Sequence, residues 1–362
     1  MKEEERCYYH WFVFRSGISE RKKRDFLLIG KNPEQIYHFS NAECRHFFQE
    51  KELLSFQKCR NMEATKRDVD WMFRHHVWTV FWNEERYPRK LKQIFQYPLG
   101  LCVKGKLPED NKLSIAIVGS REMSPYGQQA ASFFSQDLAR RGVQIISGLA
   151  RGIDGCGHEG ALKAGGYTLG ILGCGIDFQY PKSNQYLYEQ MEQRGGILSE
   201  FPIGTVPKPH LFPIRNRIIS GISDGIFVIE AKKRSGSLIT AGYALEQNRD
   251  VFALTARYYD EMSYGCLNLI QQGAKPVYMT ENITEEYENH YEFYTKRTNS
   301  FKFSLDKKEK LVYDCLRLEP KHIDQVVRES GLSVTEVLAV LTLLELKQCI
   351  IQTQKNYYRI KE

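Results

Sequence analysis

No stretch of the 362-residue chain approaches the roughly 18 consecutive apolar residues that a membrane-spanning helix requires. The opening text, MKEEERCYYH, lacks the basic-then-apolar order of a secretory leader, so a cytoplasmic protein without a membrane partner is expected. The nine cysteines are odd in number and never form a C-x-x-C pair. That argues against a disulfide framework and against a thiolate zinc site. No two histidines stand as a metal pair at helical spacing. A Walker A loop, a G-x-S-x-G elbow and paired loop carboxylates are all missing, so nothing names a nucleophile. No enzyme activity, cofactor or metal is expected.

What is present is unevenly spread. The net charge of +7 hints at a polyanionic partner. Residues 1–110 carry 21 Lys and Arg against 16 Asp and Glu, and residues 301–362 carry 11 against 9. Residues 111–300 balance at 19 against 19, yet 22 of the 27 glycines lie between Gly119 and Gly273. The middle is therefore a different architecture, one rich in tight turns and close backbone approaches. Boundaries are expected near 110 and 300, where KLPEDNK and TKRTNSFKF read as linkers.

Within the middle, short apolar runs (SIAIV, VQIIS, YTLGIL, GIFVIEA, DVFAL) alternate with helical text. This is the signature of βαβ units and a mostly parallel, Rossmann-like α/β sheet. Ligands of such sheets sit beyond the carboxyl ends of the strands. Residues 1–110 open as helices, with SGISERKKRDFLLIG and NPEQIYHF resembling a helix–hairpin–helix or SAM-like unit. The last 60 or so residues read as three helices and a terminal hairpin, a winged-helix pattern. A capping box of Ser333 and Glu336 starts the third helix.

Four loops carry the candidate site. Gly119, Ser120 and Arg121 follow the first parallel strand and offer backbone N–H groups with a guanidinium, a ready phosphate site. Ser147–Asp154 repeats the arrangement with Arg151, and Asp154 is expected to cap the next helix. In Phe212-Pro213-Ile214-Arg215-Asn216-Arg217, the ring can stack on a base for about 1–3 kcal/mol while Arg215 and Arg217 meet phosphates. Lys208 adds a charge upstream. The alternative for Arg217 is an internal pair with Glu200 or Glu230. Lys232 and Lys233, with Ser235 and Gly236, form a basic turn opening onto a helix N-terminus. GCGHEG at 155–160 matches G-x-G-x-x-G, but the strand-to-helix turn is already made by Ser147–Asp154 and no acid stands at position 180, so NAD is not expected.

Taken together, IVGSR (117–121), SGLARGID (147–154), ALKAGG (161–166), LGCGID with YPKSN (172–184), GGILSEFPIG (195–204), FPIRNRIISGIS (212–223) and EAKKRSGSLITA (230–241) resemble the DprA/Smf family of DNA-processing proteins of bacterial natural transformation. The resemblance implies an extended Rossmann core between an N-terminal helical region and a C-terminal winged helix. It implies a non-enzymatic single-stranded DNA (ssDNA) binder, dimeric through the Rossmann domain, that protects incoming strands and loads the RecA recombinase. Arg121, Lys208, Phe212 and Lys232 would line the strand pocket, with Gly119 and Ser120 supplying backbone contacts. The chain departs from the family pattern at Pro209, where a Lys often sits, and at Thr255-Ala256-Arg257, where Pro-Gly is usual. It departs again at Leu267, with Asn268 one residue late.

The third C-terminal helix, SVTEVLAVLTLLELK, has one Lys and two Glu, whereas a major-groove reader needs Arg, Lys, Asn or Gln toward the bases. It is expected not to read duplex sequence. Two other readings remain: a nucleotide hydrolase of the lysine-decarboxylase-like type, whose P-G-G-x-G-T run is missing, and a protein-docking scaffold with a decayed DNA pocket.

Overall fold

The computed structural model describes residues 3–293, 306–317, 319–347 and 349–360. Internal contacts divide the chain into residues 1–294 and 295–362. The boundary expected near 300 lies outside the described residues.

The first unit is built on one sheet of strands β1 (Val77–Phe81), β2 (Gly100–Gly105), β3 (Ser114–Val118), β4 (Gln144–Ser147), β5 (Thr168–Ile171), β6 (Gly196–Ser199), β7 (Gly225–Val228), β8 (Asp250–Leu254) and β9 (Lys275–Val277). Their spatial order is β1-β2-β6-β5-β4-β3-β7-β8-β9. From β6 to β9 every pairing is parallel, as the alternating pattern predicts; β2 runs antiparallel to both β1 and β6.

The strand residues explain the layers. All five residues of SIAIV in β3 are buried, because helices cover both faces of a parallel sheet. Side chains alternate across it. Ala116 and Val118 join a core with Ile146, Leu169 and Ile226, while Ile115 and Ile117 join the opposite core with Ile145, Phe227 and Phe252. Each buried Ile or Phe contributes about 1.5–3 kcal/mol. Helix Pro125–Arg140 begins where Ser124 accepts a hydrogen bond from the Gly127 N–H, with Pro125 at the first helical position.

The chain walks from β3 through β4 and β5 to β6, then returns to the other side of β3 as β7. The loops after β3 and β7 thus diverge, opening a crevice at the topological switch point.

The boundary near 110 is not a break in the structure. It falls between β2 and β3 of one sheet, and β2 pairs with β6 from Cys102↔Ser199 to Gly105↔Gly196. Asp224 fastens the region further, accepting hydrogen bonds from Lys90 Nζ at 2.6 Å, Ser114 N at 2.8 Å and Tyr291 Oη at 3.0 Å. Before β1 the chain is helical as expected, packed around Trp11, Phe12, Phe26 and Phe56.

The second unit holds helices Lys307–Cys315, Ile323–Ser330 and Val334–Leu346 with strands β10 (Lys321–His322), β11 (Ile350–Gln354) and β12 (Tyr357–Ile360) in the order β10-β12-β11. This is a winged helix. Gly331 (φ 67°) ends the second helix in the left-handed region, and the Ser333–Glu336 capping box starts the third. Val337, Val340, Leu341 and Leu344 enter the core, leaving Val334, Leu338, Leu343 and Leu346 exposed. Lys347 is held by Glu309 at 2.6 Å. Helix Val334–Leu346 itself carries no Lys or Arg.

Asp224→Ala removes one acceptor from three donors, of which Lys90 is largely buried. The expected cost is about 2–3 kcal/mol. Urea unfolding of the parent and variant checks it; an unchanged midpoint would show that residues before 110 are not fastened here.

Candidate nucleic-acid interface

The site is assembled from the loops after β3, β4, β5 and β7 with the start of helix Leu211–Ile222. Close backbone approach decides where glycine must stand. A Cβ at Gly152 (φ 76°) would lie 2.2 Å from the Ser120 carbonyl oxygen, so the β3 and β4 loops touch backbone to backbone. The Ile153 N–H donates to that same oxygen at 3.1 Å. Ser120 Oγ is turned inward, donating to the Glu122 carbonyl at 2.9 Å. Gly119 and Ser120 therefore line the cleft mainly through backbone.

Beneath these loops sits Arg215, only 3% exposed. Its Nη1 donates to the Gly148 carbonyl at 2.7 Å and to the Ile171 carbonyl, joining the carboxyl ends of β4 and β5. Buried Asp154 is its counter-charge and accepts from the Gly148 N–H at 3.2 Å. Burial pushes the Asp154 carboxyl up and the Arg215 guanidinium down to about 10, and each opposes the shift of the other. This corrects two expectations. Arg215 is a floor residue whose guanidinium does not reach the surface, because its helix turns that face into the core. Asp154, inside the first turn of Ile153–Lys163, folds back on the loop rather than capping the helix, whose N-cap is Gly152.

Arg217 points away as well. It pairs with Glu200, and the two side chains are 15% and 12% exposed, so the internal-pair alternative describes it. Burial raises the Glu200 carboxyl, and Arg217 opposes the rise.

The outward cations are others. The exposed Arg121 guanidinium lies 5.2 Å from the ring centre of half-buried Phe212. Phe212 rests against Gly173, where a Cβ would come within 2.6 Å of the ring, and Tyr180 stands 5.7 Å away. Arg121 and Phe212 line both of two adjoining spaces. One, about 500 Å³, lies between the β3 and β7 loops and is also lined by Asn216, Lys232, Ser235 and Gly236. The other, about 320 Å³, lies between the β4 and β5 loops and is lined by Arg151, Gly173 and Tyr180. The Arg121–Phe212 pair stands where they meet.

Lys232 is 3.8 Å from Glu122. Ser235 caps helix Gly236–Glu246, accepting from the Ser237 N–H at 3.4 Å, and Asn216 Nδ2 donates to the Gly236 carbonyl at 3.4 Å. Lys233 is exposed and leans over Tyr264. Lys208 is exposed between Pro207 and Pro209, which line the larger space although Lys208 itself does not.

Sequence reasoning missed three supports. Asn184 Nδ2 donates to the carbonyls of Leu149 at 3.1 Å and Ala150 at 2.8 Å, pinning a loop in which Leu149 has φ 54°. Glu230, buried after β7, accepts from Ser124 N at 3.0 Å and from the Ser124 hydroxyl. Tyr180 borders Phe212. Asn184 and Tyr180 both lie in YPKSN, but nothing local in that text says which loop they meet. Among the described residues no group of three or more potential metal ligands occurs. No helix of the described residues is long and apolar enough to cross a membrane.

An extended Rossmann-type sheet with a cation-lined cleft at its carboxyl edge, joined in one chain to a winged helix, defines a two-part α/β protein. Comparison with known proteins narrows the class. The profile described as DNA recombination-mediator protein A matches residues 78–288, and that of the DprA winged helix domain matches 300–354. The chain belongs to the DNA recombination-mediator protein A family. It is 38% identical over 293 residues to Protein Smf of Escherichia coli, covering 79% of this chain and 78% of that protein. Over 209 residues it is 43% identical to DNA processing protein DprA of Bacillus subtilis, covering 58% and 70%. The X-ray structure of DprA from Streptococcus pneumoniae superposes with a TM-score of 0.67 at 32% identity, covering 77% of this chain and 97% of that one. DNA processing protein A of Helicobacter pylori, whose structure concerns its ssDNA binding mode, gives 0.53 at 28% identity, covering 59% and 97%.

One buried imidazole under the site makes stability pH-dependent. His158 bonds Thr168 Oγ1 at 2.7 Å and accepts from the Leu149 N–H at 3.3 Å, and burial lowers its pKa to about 3. Between that value and the ordinary 6.5 the unfolded chain binds the extra proton, so stability falls as pH drops, by about 1.4 kcal/mol per unit for this group. Buried His10, lowered to about 4, adds in the same direction, whereas the raised Asp154 and Glu200 carboxyls act oppositely. Thermal unfolding from pH 7 to 4 should therefore show a shallower loss on the acid side for His158→Gln than for the parent. Parallel curves would exclude the imidazole as a source.

Proposed function

We propose that the cleft binds single-stranded DNA without sequence preference and that the protein acts as a recombination mediator, protecting strands and loading the RecA recombinase as a homodimer. The observation that carries this reading is the Arg121–Phe212 pair between two open spaces. A half-exposed ring accepts any base, and a cation laid over it meets the adjoining phosphate. Two further features support it. Gly236, at the start of its helix, lines the larger space, an added Cβ there would meet nothing within 4 Å, and Lys232 lines the same space. The H. pylori relative is described by its ssDNA binding mode.

The contact set in this reading is Gly119, Ser120, Arg121, Arg151, Phe212, Asn216, Lys232, Ser235 and Gly236, with Lys208 and Lys233 at the rim. Arg215 and Arg217 act through the fold. The protein works by binding, without catalysis or cofactor, in the cytoplasm.

Fluorescence anisotropy with oligo-dT across salt concentrations tests the reading. Single strands should bind far better than duplex, and affinity should fall by about 0.7 log units per log unit of salt for each phosphate neutralised. Phe212→Ala is expected to cost about 1–3 kcal/mol of binding, and Arg121→Ala to weaken binding and flatten the salt dependence, both with little change in thermal unfolding. Arg215→Ala should instead destabilise the fold by about 3 kcal/mol or more, since it strands Asp154. Parental binding by both Arg121→Ala and Phe212→Ala would refute the cleft assignment.

A further inference from the structure

The loop after β8 carries aromatic side chains that no part of the fold uses. Tyr258 is 88% exposed and Tyr259 68%, their rings 5.3 Å apart and nearly perpendicular. Arg257, beside them, is exposed too. Large rings left in water at neighbouring positions mark a surface for contact rather than for packing.

This loop belongs to the same edge of the sheet as the cleft. β8 is the parallel neighbour of β7, whose loop holds Lys232 and Lys233. The two loops are tied: Ala231 N donates to the Met262 carbonyl at 2.9 Å, and Gly265 N to the Ala231 carbonyl at 2.6 Å. The Lys233 ammonium lies 5.6 Å from the ring centre of Tyr264, which is 49% exposed. On the β3 side, half-exposed Tyr126 donates to the Thr255 carbonyl at 3.4 Å, so the first turn of Pro125–Arg140 borders the same loop. Tyr126, Lys233, Arg257, Tyr258, Tyr259 and Tyr264 thus lie along the rim that begins at Lys232. Of the nearby acids, Asp260 accepts from the Met262 N–H at 3.0 Å, Glu122 faces Lys232, and Glu261 is exposed.

We propose that this rim is a second stacking platform for the same single strand, continuing its track from the cleft past β7 to the β8 loop. The inference rests on the reading of the cleft as a strand-binding site. Interleaved rings and cations suit a chain of bases and phosphates, and stacking accepts every base. A folded protein docking through the same rings is the competing occupant, and it would leave strand affinity untouched.

The test uses the full chain and labelled oligo-dT of about 6 nucleotides, enough for the cleft alone, and of about 20. The double variant Tyr258→Ala/Tyr259→Ala should lose roughly 5- to 30-fold affinity for the long strand and about twofold or less for the short one. Tyr258→Phe/Tyr259→Phe, which keeps the rings, should bind both like the parent. On irradiation, 5-iodouracil at an end of the long strand should crosslink to residues 255–264. Equal binding of the long strand by the parent and the alanine variant overturns the platform, as does an equal loss in the phenylalanine variant. Phe212→Ala separates the two readings. If it leaves both lengths unchanged while the tyrosine pair still matters, the cleft assignment fails and the platform stands. If no variant alters either length, both fail.

Discussion

Arg215 enters the core from helix Leu211–Ile222, and the site above takes its shape from where that guanidinium is held. It grips the carbonyls that end β4 and β5 and is balanced by Asp154. A charge taken out of water costs several kcal/mol unless its partners are well placed, so the loop Ser147–Asp154 has little freedom. Gly148 follows from the same fact, for a Cβ there would stand 2.5 Å from the guanidinium. Phe212 lies three residues before Arg215, on the same side of the helix. Holding Arg215 down therefore holds the ring over Gly173, and the ring supports Arg121. A buried charge thus positions the two side chains that stand between the two spaces of the cleft.

The same organisation explains a cation-lined cleft in a segment of zero net charge. Several acids of residues 111–300 are spent inside: Asp154 against Arg215, Glu200 against Arg217, Glu230 on Ser124 and Asp224 on Lys90. Each carboxylate cancels a charge in the sum while holding an element in place. Arg121, Arg151 and Arg234 are exposed at the cleft together with Glu122, and the local field there depends on these groups rather than on the total. The geometry gives this edge its character, a cleft built from glycine turns and lined by cations.

Much of this was legible in the residues. SIAIV, GIFVIEA and DVFAL became β3, β7 and β8 because a run of β-branched and aromatic residues between glycine turns suits a strand covered on both faces. The Ser333–Glu336 box works at any helix start, since it needs only residues three apart. Loop positions such as Gly119, Arg121 and Ser235 followed from the βαβ order, whereas Phe212, read as part of a loop, lies in the first turn of helix Leu211–Ile222. The boundary at 110 failed for a related reason. Composition changes there, but sheet membership is decided by hydrogen bonds between β2 and β6, almost a hundred residues apart, and composition carries no trace of pairing.

By itself, then, the sequence determined the parallel sheet, the winged helix, the family and the glycine-bearing loops after β3, β4 and β7. Those depend on local propensity, on periodicity and on motif order. Tertiary structure alone decided the direction of each charged side chain. Arg121, Arg215 and Arg217 are the same residue type; one lies over Phe212, one is buried and one is paired. The difference arises from carbonyls and carboxylates at Gly148, Ile171 and Glu200, brought in by other strands. Whether an arginine serves a ligand or the fold depends on which acceptors reach it first, and that is a property of the assembled sheet.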